Sequence, residues 1–267
     1  MQGGSMTRIK QIVKLALKLP SVATARALSG TNRSARFTGA YPTQAAALAA
    51  LPACQQAGYD DASIADVSFD LMCQRHALDY PVVFWLDRLL PQITAVTDAG
   101  GHLGTKYIAF SGVLDLSGVN WVVYDLPGII QAARARQKNH QLPAAIGFES
   151  ARENLPNSDL LLASGLLQYL DQTFSDFVHS LPHRPTSIIV NKVALWDGPR
   201  CVTIERIGAG RVPYQIRNRA AFEAEIAAMG YGIEDQWDIE GLGHVIATHP
   251  WLGQSQSVGY VLKSLAE

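Results

Sequence analysis

The chain has 267 residues, 48% of them hydrophobic and 17% charged, with a formal net charge of −1. That is enough chain to bury a sizeable core, as one α/β domain with an appendage or as two small lobes, and it leaves no electrostatic footprint for nucleic acid. The three cysteines, Cys54, Cys73 and Cys201, are widely spaced and odd in number, which argues against a disulfide framework or zinc knuckle and points to the cytoplasm; no apolar run approaches the roughly 20 residues of a membrane-spanning helix.

The opening "MQGGSM" reads as an expression scar (residues 1–6) with Met6 the native start. In "TRIKQIVKLALKLP", Lys10, Lys14 and Lys18 recur every four residues opposite Ile9, Ile12, Val13, Ala16 and Leu17. This spacing predicts a basic amphipathic helix over 7–19, ended by Pro20. Such a helix either packs on the domain with a solvated lysine edge, or makes a peripheral contact with the inner face of the membrane or a synthase complex. Residues 21–42 are rich in Ser, Ala, Gly and Arg and read as a linker or crossing loop. From Thr43 to Leu90 the pattern is helical, with Asp61 and Ser63 as N-caps and Pro81 in a first turn. Residues 7–90 are therefore expected to form an N-terminal helix, linker and helical cap.

From residue 93 the rhythm becomes strand–helix alternation. The strands are "ITAVTDAG", "NWVVYDL", "AAIGFES", "DLLLASGLL", "TSIIVNKVAL", "CVTIERI" and "VGYVLKSL". The helices are "PGIIQAARARQKN", "QTFSDFVHSL" and "AAFEAEIAAMG". Near-continuous apolar strands separated by helices predict a mostly parallel sheet covered on both faces over 91–267. No full helix separates "TSIIVNKVAL" from "CVTIERI", so antiparallel pairing is expected at that edge.

Ligands of open α/β sheets bind beyond the carboxyl ends of the strands at the topological switch point. The loop there is Asp98-Ala99-Gly100-Gly101-His102-Leu103-Gly104. Read as a dinucleotide fingerprint, it has Ala99 where the first glycine belongs and a carboxylate beside a pyrophosphate, which that carboxylate would repel. Read as a loop for S-adenosylmethionine, Asp98 suits a ligand whose ammonium and sulfonium are both positive, and Gly100, Gly101 and Gly104 admit close backbone approach. Asp125, followed by Leu126, stands where an acid would accept from ribose hydroxyls, or it caps the next helix. Phe148, Glu149 and Ser150 end the third strand at an adenine-facing edge. Ser164, Gly165, Gln168 and Tyr169 end the fourth and leave room for a methyl group and its acceptor.

These stretches, in their order, resemble class I methyltransferases of an uncharacterised bacterial family found near surface-polysaccharide genes. The similarity runs through "FTGAYPTQAAALAA", "AGYDD", "DYPVVFWLDRLL", "DAGGHLGTKY", "WVVYDLPGIIQAA", "LLLASGLLQYLDQ", "SIIVNKVALWDGP", "VPYQIRNRAAFEAEIAAMGY" and "VGYVLK". Asn191-Lys192-Val193 stands where an arginine-threonine-proline-like turn is usual in such proteins. The resemblance implies a Rossmann-like seven-stranded sheet with an N-terminal helical cap, S-adenosyl-L-methionine as cofactor, and transfer to a small molecule or glycan, most simply at oxygen.

Methyl transfer needs alignment, exclusion of water and, for a hydroxyl acceptor, removal of a proton. Candidate bases are His102, Tyr169 and His76; Tyr41, Lys192, Trp196 and Tyr214 are candidates for the acceptor's mouth. The seven histidines show no metal-ligand spacing. Two competing readings are an NAD-dependent oxidoreductase or epimerase on the same sheet, and a degenerate, non-catalytic methyltransferase fold that docks through residues 7–19.

Overall fold

The computed structural model describes residues 19–31, 33–52, 69–208 and 210–265. Met6, most of the predicted basic helix, Cys54, Asp61 and Ser63 lie outside the described residues. Pro20 is the second described residue of α1, Leu19–Leu28.

The predicted linker contains a strand, β1 (Phe37–Tyr41). It is followed by α2 (Gln44–Ala49), whose first turn is capped by Thr43 accepting from the Ala46 amide. Next come a single turn, α3 (Phe69–Met72), and α4 (Tyr80–Leu89), which carries Pro81 in its first turn as expected.

Seven strands build the main sheet. They are β2 (Ala95–Ala99), β3 (Asn120–Tyr124), β4 (Ile146–Glu149), β5 (Leu160–Ser164), β6 (Ser187–Trp196), β9 (Tyr231–Ile239) and β10 (Gln256–Ser264). Their order is β4-β3-β2-β5-β6-β10-β9. The first five are mutually parallel, and β10 runs antiparallel to both β6 and β9. The crossover helices are α5 (Thr105–Phe110), α6 (Pro127–Lys138), α7 (Phe174–His179) and α8 (Arg219–Ala228). This is the expected Rossmann-like, mostly parallel sheet with helices on both faces.

The side-chain period of two explains the layering. Val96, Leu160, Leu162, Ile189 and Val261 join one apolar cluster with Leu86, Phe110, Trp121 and Ile130. Leu161, Ala163, Ile188, Val190 and Tyr260 join the other, with Phe174, Phe177, Phe222 and Ile226. Both faces are buried, so the strands read as apolar runs rather than alternations.

The strand inventory is larger than expected at one edge. "CVTIERI" is β7 (Cys201–Ile207), and the antiparallel pairing expected there is present, to β8 (Gly210–Asn218) and to β1, with β8 joining these strands to β6. Besides β1, two further strands went unread, β8 and β9, because their exposed or charged residues hide the period. Within the expected N-terminal segment, β1 is the edge strand of this antiparallel part of the sheet. The appendage joins the main sheet where the long β6 runs on to meet β8 at Leu195↔Arg217 and Trp196↔Asn218.

Candidate active site

Chain order reverses direction across the sheet between β2 and β5, so the carboxyl end of β2 faces a crevice. All five residues of β2 are buried, and the turn after it bends through Gly100, His102 and Gly104 at φ of 71°, 57° and 78°. Gly101 has a specific reason to lack a side chain: a Cβ there would stand 2.5 Å from Asp98 Oδ2. A Cβ on Gly104 would meet Ile146 Cδ1 at 2.6 Å, so this glycine lets α5 press onto the sheet beside β4.

Asp98 is 1% exposed and accepts a hydrogen bond from Trp121 Nε1 at 3.3 Å. Burial pushes its carboxyl up to about 7, opposed by the Trp121 bond and by the charge of Lys106. An acid so held gains from a cationic neighbour. Asp125 lies one residue beyond β3 and touches the same loop: its Oδ2 accepts from the His102 amide at 2.9 Å and its Oδ1 from the Leu126 amide at 2.8 Å. The structure thus brings Asp98, Gly100, Gly101, His102, Gly104 and Asp125 together, with Leu126 42% exposed at the rim.

The adenine edge is less open than expected. Phe148 is buried in the first apolar cluster, because the alternation of β4 turns its ring inward. Glu149 is occupied by its own turn: Oε1 accepts from the Ser150 and Ala151 amides at 2.8 and 2.9 Å, and Arg134 stands 3.6 Å from Oε2. These bonds hold its carboxyl below the usual range, the Ala151 amide most strongly. Ser150 remains half-buried at the edge.

Across the crevice, Leu166 lies against the glycine loop, 3.1 Å from a Cβ placed on Gly100. The β5 loop therefore abuts the glycine loop. Ser164 Oγ and Gln168 Oε1 are buried there without a hydrogen-bond partner, an arrangement that native interiors seldom leave unexplained. Beside them stands Lys192, with φ of 63°. A Cβ on Gly165 would be 3.6 Å from Lys192 Cδ and 3.7 Å from Gln168 Nε2.

Beneath Lys192 runs a network that the sequence reading missed. Lys106 Nζ bonds Asp79 Oδ1 at 2.7 Å, and both residues are buried. Asn191 donates to the Leu78 carbonyl at 3.1 Å and accepts from Trp237 Nε1 at 3.1 Å. Asp79 also accepts from the His76 amide and so closes the short turn ahead of α4. Nothing local announces its partner across 27 residues.

Several other candidates fall elsewhere. His76 Nε2 meets the Leu71 carbonyl at 2.9 Å, so the ring stabilises its own turn. Tyr169 donates to Glu205 Oε2 at 2.8 Å, and Glu205 also holds Arg36 at 2.7 Å. The hydroxyl is thus engaged with the appended sheet. Tyr214 packs edge-on against Tyr169 and Phe37. Tyr41, paired with Val202, lies on the opposite face of that sheet, so the two tyrosines do not line one mouth. Trp196 is buried in the appendage's core and donates to the Pro199 carbonyl. Among the described residues no group of three or more His, Cys, Asp or Glu is placed to hold a metal, and no helix is long and apolar enough to cross a membrane.

No family profile matches the chain, and no curated protein matches it. Similar solved structures include the N-terminal domain of EvdMO1 with SAH bound, at 13% identity, 71% of this chain and 82% of that one, with a TM-score of 0.48. Another is human N-acetylserotonin methyltransferase in complex with SAM, at 13% identity, 77% and 57% coverage, and a TM-score of 0.47. A third is 1,6-didemethyltoxoflavin-N1-methyltransferase from Burkholderia thailandensis, at 19% identity, 76% and 87% coverage, and a TM-score of 0.47.

Proposed function

We propose that this chain is an S-adenosylmethionine-dependent methyltransferase that acts on oxygen of a small molecule or glycan. The observation that carries the reading is the acid-bearing glycine loop at the switch point: Asp98 buried beneath Gly101, with Asp125 bonded to the same loop. A phosphate-binding loop has no use for that carboxylate, whereas a ligand with an ammonium and a sulfonium does. The reversed β10 between β6 and β9 also departs from the all-parallel order 3-2-1-4-5-6 of dinucleotide-binding sheets.

The residues fit the cofactor on the chemistry of the donor set. Asp98 would offset positive charge at the methionine end, and the glycines keep side chains out of the loop that surrounds it. Asp125, with lone pairs beyond its two amide bonds, would accept from ribose hydroxyls. The bound group supplies an activated methyl and a neutral sulfur leaving group. The chain's own work is to orient the acceptor, exclude water through the abutting β5 loop, and hold the displaced proton.

Titration calorimetry with S-adenosylhomocysteine and with NAD tests this reading. Binding of the homocysteine adduct with NAD inert is expected. Tight NAD binding without the adduct would replace the reading with a dehydrogenase or epimerase. Cofactor binding without turnover, together with liposome binding lost on deleting residues 7–19, would favour the docking module.

A further inference from the structure

Lys192 occupies an unusual backbone position. β10 pairs Val258 with Val193 and Tyr260 with Val190, so Gly259 alone faces both Asn191 and Lys192. Two residues against one is a β-bulge, and the residue forced into the left-handed region is Lys192 at φ 63°. Glycine is the usual occupant of such a position, and a non-glycine residue there costs about 1–3 kcal/mol unless its surroundings compensate. The bulge has a consequence for direction. Val190 and Val193 both enter the second apolar cluster, and the extra residue releases the lysine toward the carboxyl edge of the sheet.

There it meets an incomplete polar site. Ser164 Oγ and Gln168 Oε1 are buried and unpartnered, and Gln168 is only 6% exposed. Lys192 itself forms no ion pair or hydrogen bond among the described residues. The charged groups that face it are Lys106 of α5 and Asp79 at the start of α4, and Asp79 is already committed to Lys106. The neighbouring Asn191 is spent on Leu78 and Trp237. Three polar groups around Gly165 therefore converge with no internal satisfaction.

We propose that Ser164, Gln168 and Lys192 form the acceptor subsite for a hydroxyl-bearing small molecule, with Lys192 Nζ taking the hydroxyl proton during transfer. The proposal rests on the methyltransferase reading of the adjoining loop. The balance closes without a further reagent: the acceptor O–H proton passes to the neutral amine, and the oxygen forms the new bond to carbon. The methyl–sulfur bond breaks with its electron pair going to sulfur, and the ammonium returns its proton to water. The amine is available because burial, and secondarily the Lys106 charge, brings its pKa down to about 8 despite Asp79. Gln168 Oε1 and Ser164 Oγ hold hydroxyls of the same acceptor, which favours polyols and sugars over amines or thiols.

Two measurements on the full chain test this. Competitive acetylation by acetic anhydride, read by mass spectrometry across pH, should show Lys192 titrating near 8; a midpoint at lysine's ordinary value of 10.5 would overturn the proposal without reference to any acceptor. Methyl transfer from labelled S-adenosylmethionine to a panel of sugars, polyols, phenols and carboxylates should then rise with pH through the same midpoint. Lys192→Gln should lower that transfer by about a hundredfold or more while the Kd for S-adenosylhomocysteine stays unchanged. Lys192→Arg should not restore it, because a guanidinium cannot take the proton. Rescue by Arg, with carboxylates as the methylated class, would make Lys192 an anion anchor and refute the base. Loss of S-adenosylhomocysteine binding in the unmodified chain would instead refute the methyltransferase reading itself.

Discussion

Asp98 offers the sharpest test of the cofactor loop. Its carboxyl is moved from 3.8 to about 7 by burial, so holding it ionised in the unliganded protein costs about 4 kcal/mol. The folded protein retains that proton between about pH 4 and 7 while the unfolded chain does not. The resulting stabilisation is therefore complete below the unfolded value and is lost as pH rises through 7. Ligand binding has the opposite slope. If only the carboxylate suits a cationic ligand, affinity for S-adenosylmethionine should fall roughly tenfold per unit below pH 7 and level off above it. Binding at about pH 7 should release roughly half a proton, seen as a dependence of the calorimetric enthalpy on the buffer's ionisation heat. Asp98→Asn should abolish both the slope and the proton release, weaken binding at pH 8, and remove the acid-side gain in stability. An unchanged affinity from pH 6 to 8 in the natural chain, or an Asn variant binding equally well, would refute the role assigned to this charge.

Other expectations follow from geometry. Gly101→Ala places a Cβ 2.5 Å from the buried Asp98 carboxylate and should abolish cofactor binding by calorimetry while leaving a folded circular dichroism spectrum. Lys106→Met strands the Asp79 charge in the interior and should cost about 3–5 kcal/mol in urea unfolding. The double change with Asp79→Leu should recover much of that loss. Arg217→Met removes donors to the Leu167 and Gln172 carbonyls; about 2–4 kcal/mol of stability should be lost. Arg217→Met should also make the β5 loop exchange its amide hydrogens faster.

The parallel half of the sheet was legible because its chemistry is local and repetitive. β2, β3, β5 and the first half of β6 are largely apolar, and α7, which leads into β6, carries its own cap in Thr173. The glycine loop was legible for the same reason, since Asp98 and Gly101 are three residues apart. What escaped is long-range. β1 has no helix to frame it and finds its partner β7 some 165 residues later. The Asp79–Lys106 pair and the Lys192 bulge depend on which elements meet. The bulge in particular exists only because β10 supplies one residue where β6 supplies two. Trp196 and Tyr214, read as pocket residues from their place after strands, are consumed by a core that no periodicity announced.

The appended sheet acquires a purpose once its buried polar residues are followed to their partners. Arg217 and Gln215 of β8 are buried, at 5% and 2% exposure, and neither faces a carboxylate within bonding distance. They donate instead to backbone carbonyls of the β5 loop: Arg217 to Leu167 at 2.5 Å, and Gln215 to Leu170 at 3.4 Å. Gln44 of α2 donates to the Tyr169 carbonyl at 3.2 Å, while the Tyr169 hydroxyl binds Glu205 of β7. Burial lowers the Arg217 guanidinium to about 10, a cost that a merely decorative arginine would avoid by reaching solvent. The loop so clamped is the one that presents Ser164 and Gln168 beside Lys192. β6 itself links both halves, carrying Lys192 in the main sheet and Leu195–Trp196 against β8. The extra strands thus fix the side of the crevice opposite the glycine loop. Under the proposed methyltransferase function, a wall so held is what in-line transfer demands of the group that positions its acceptor.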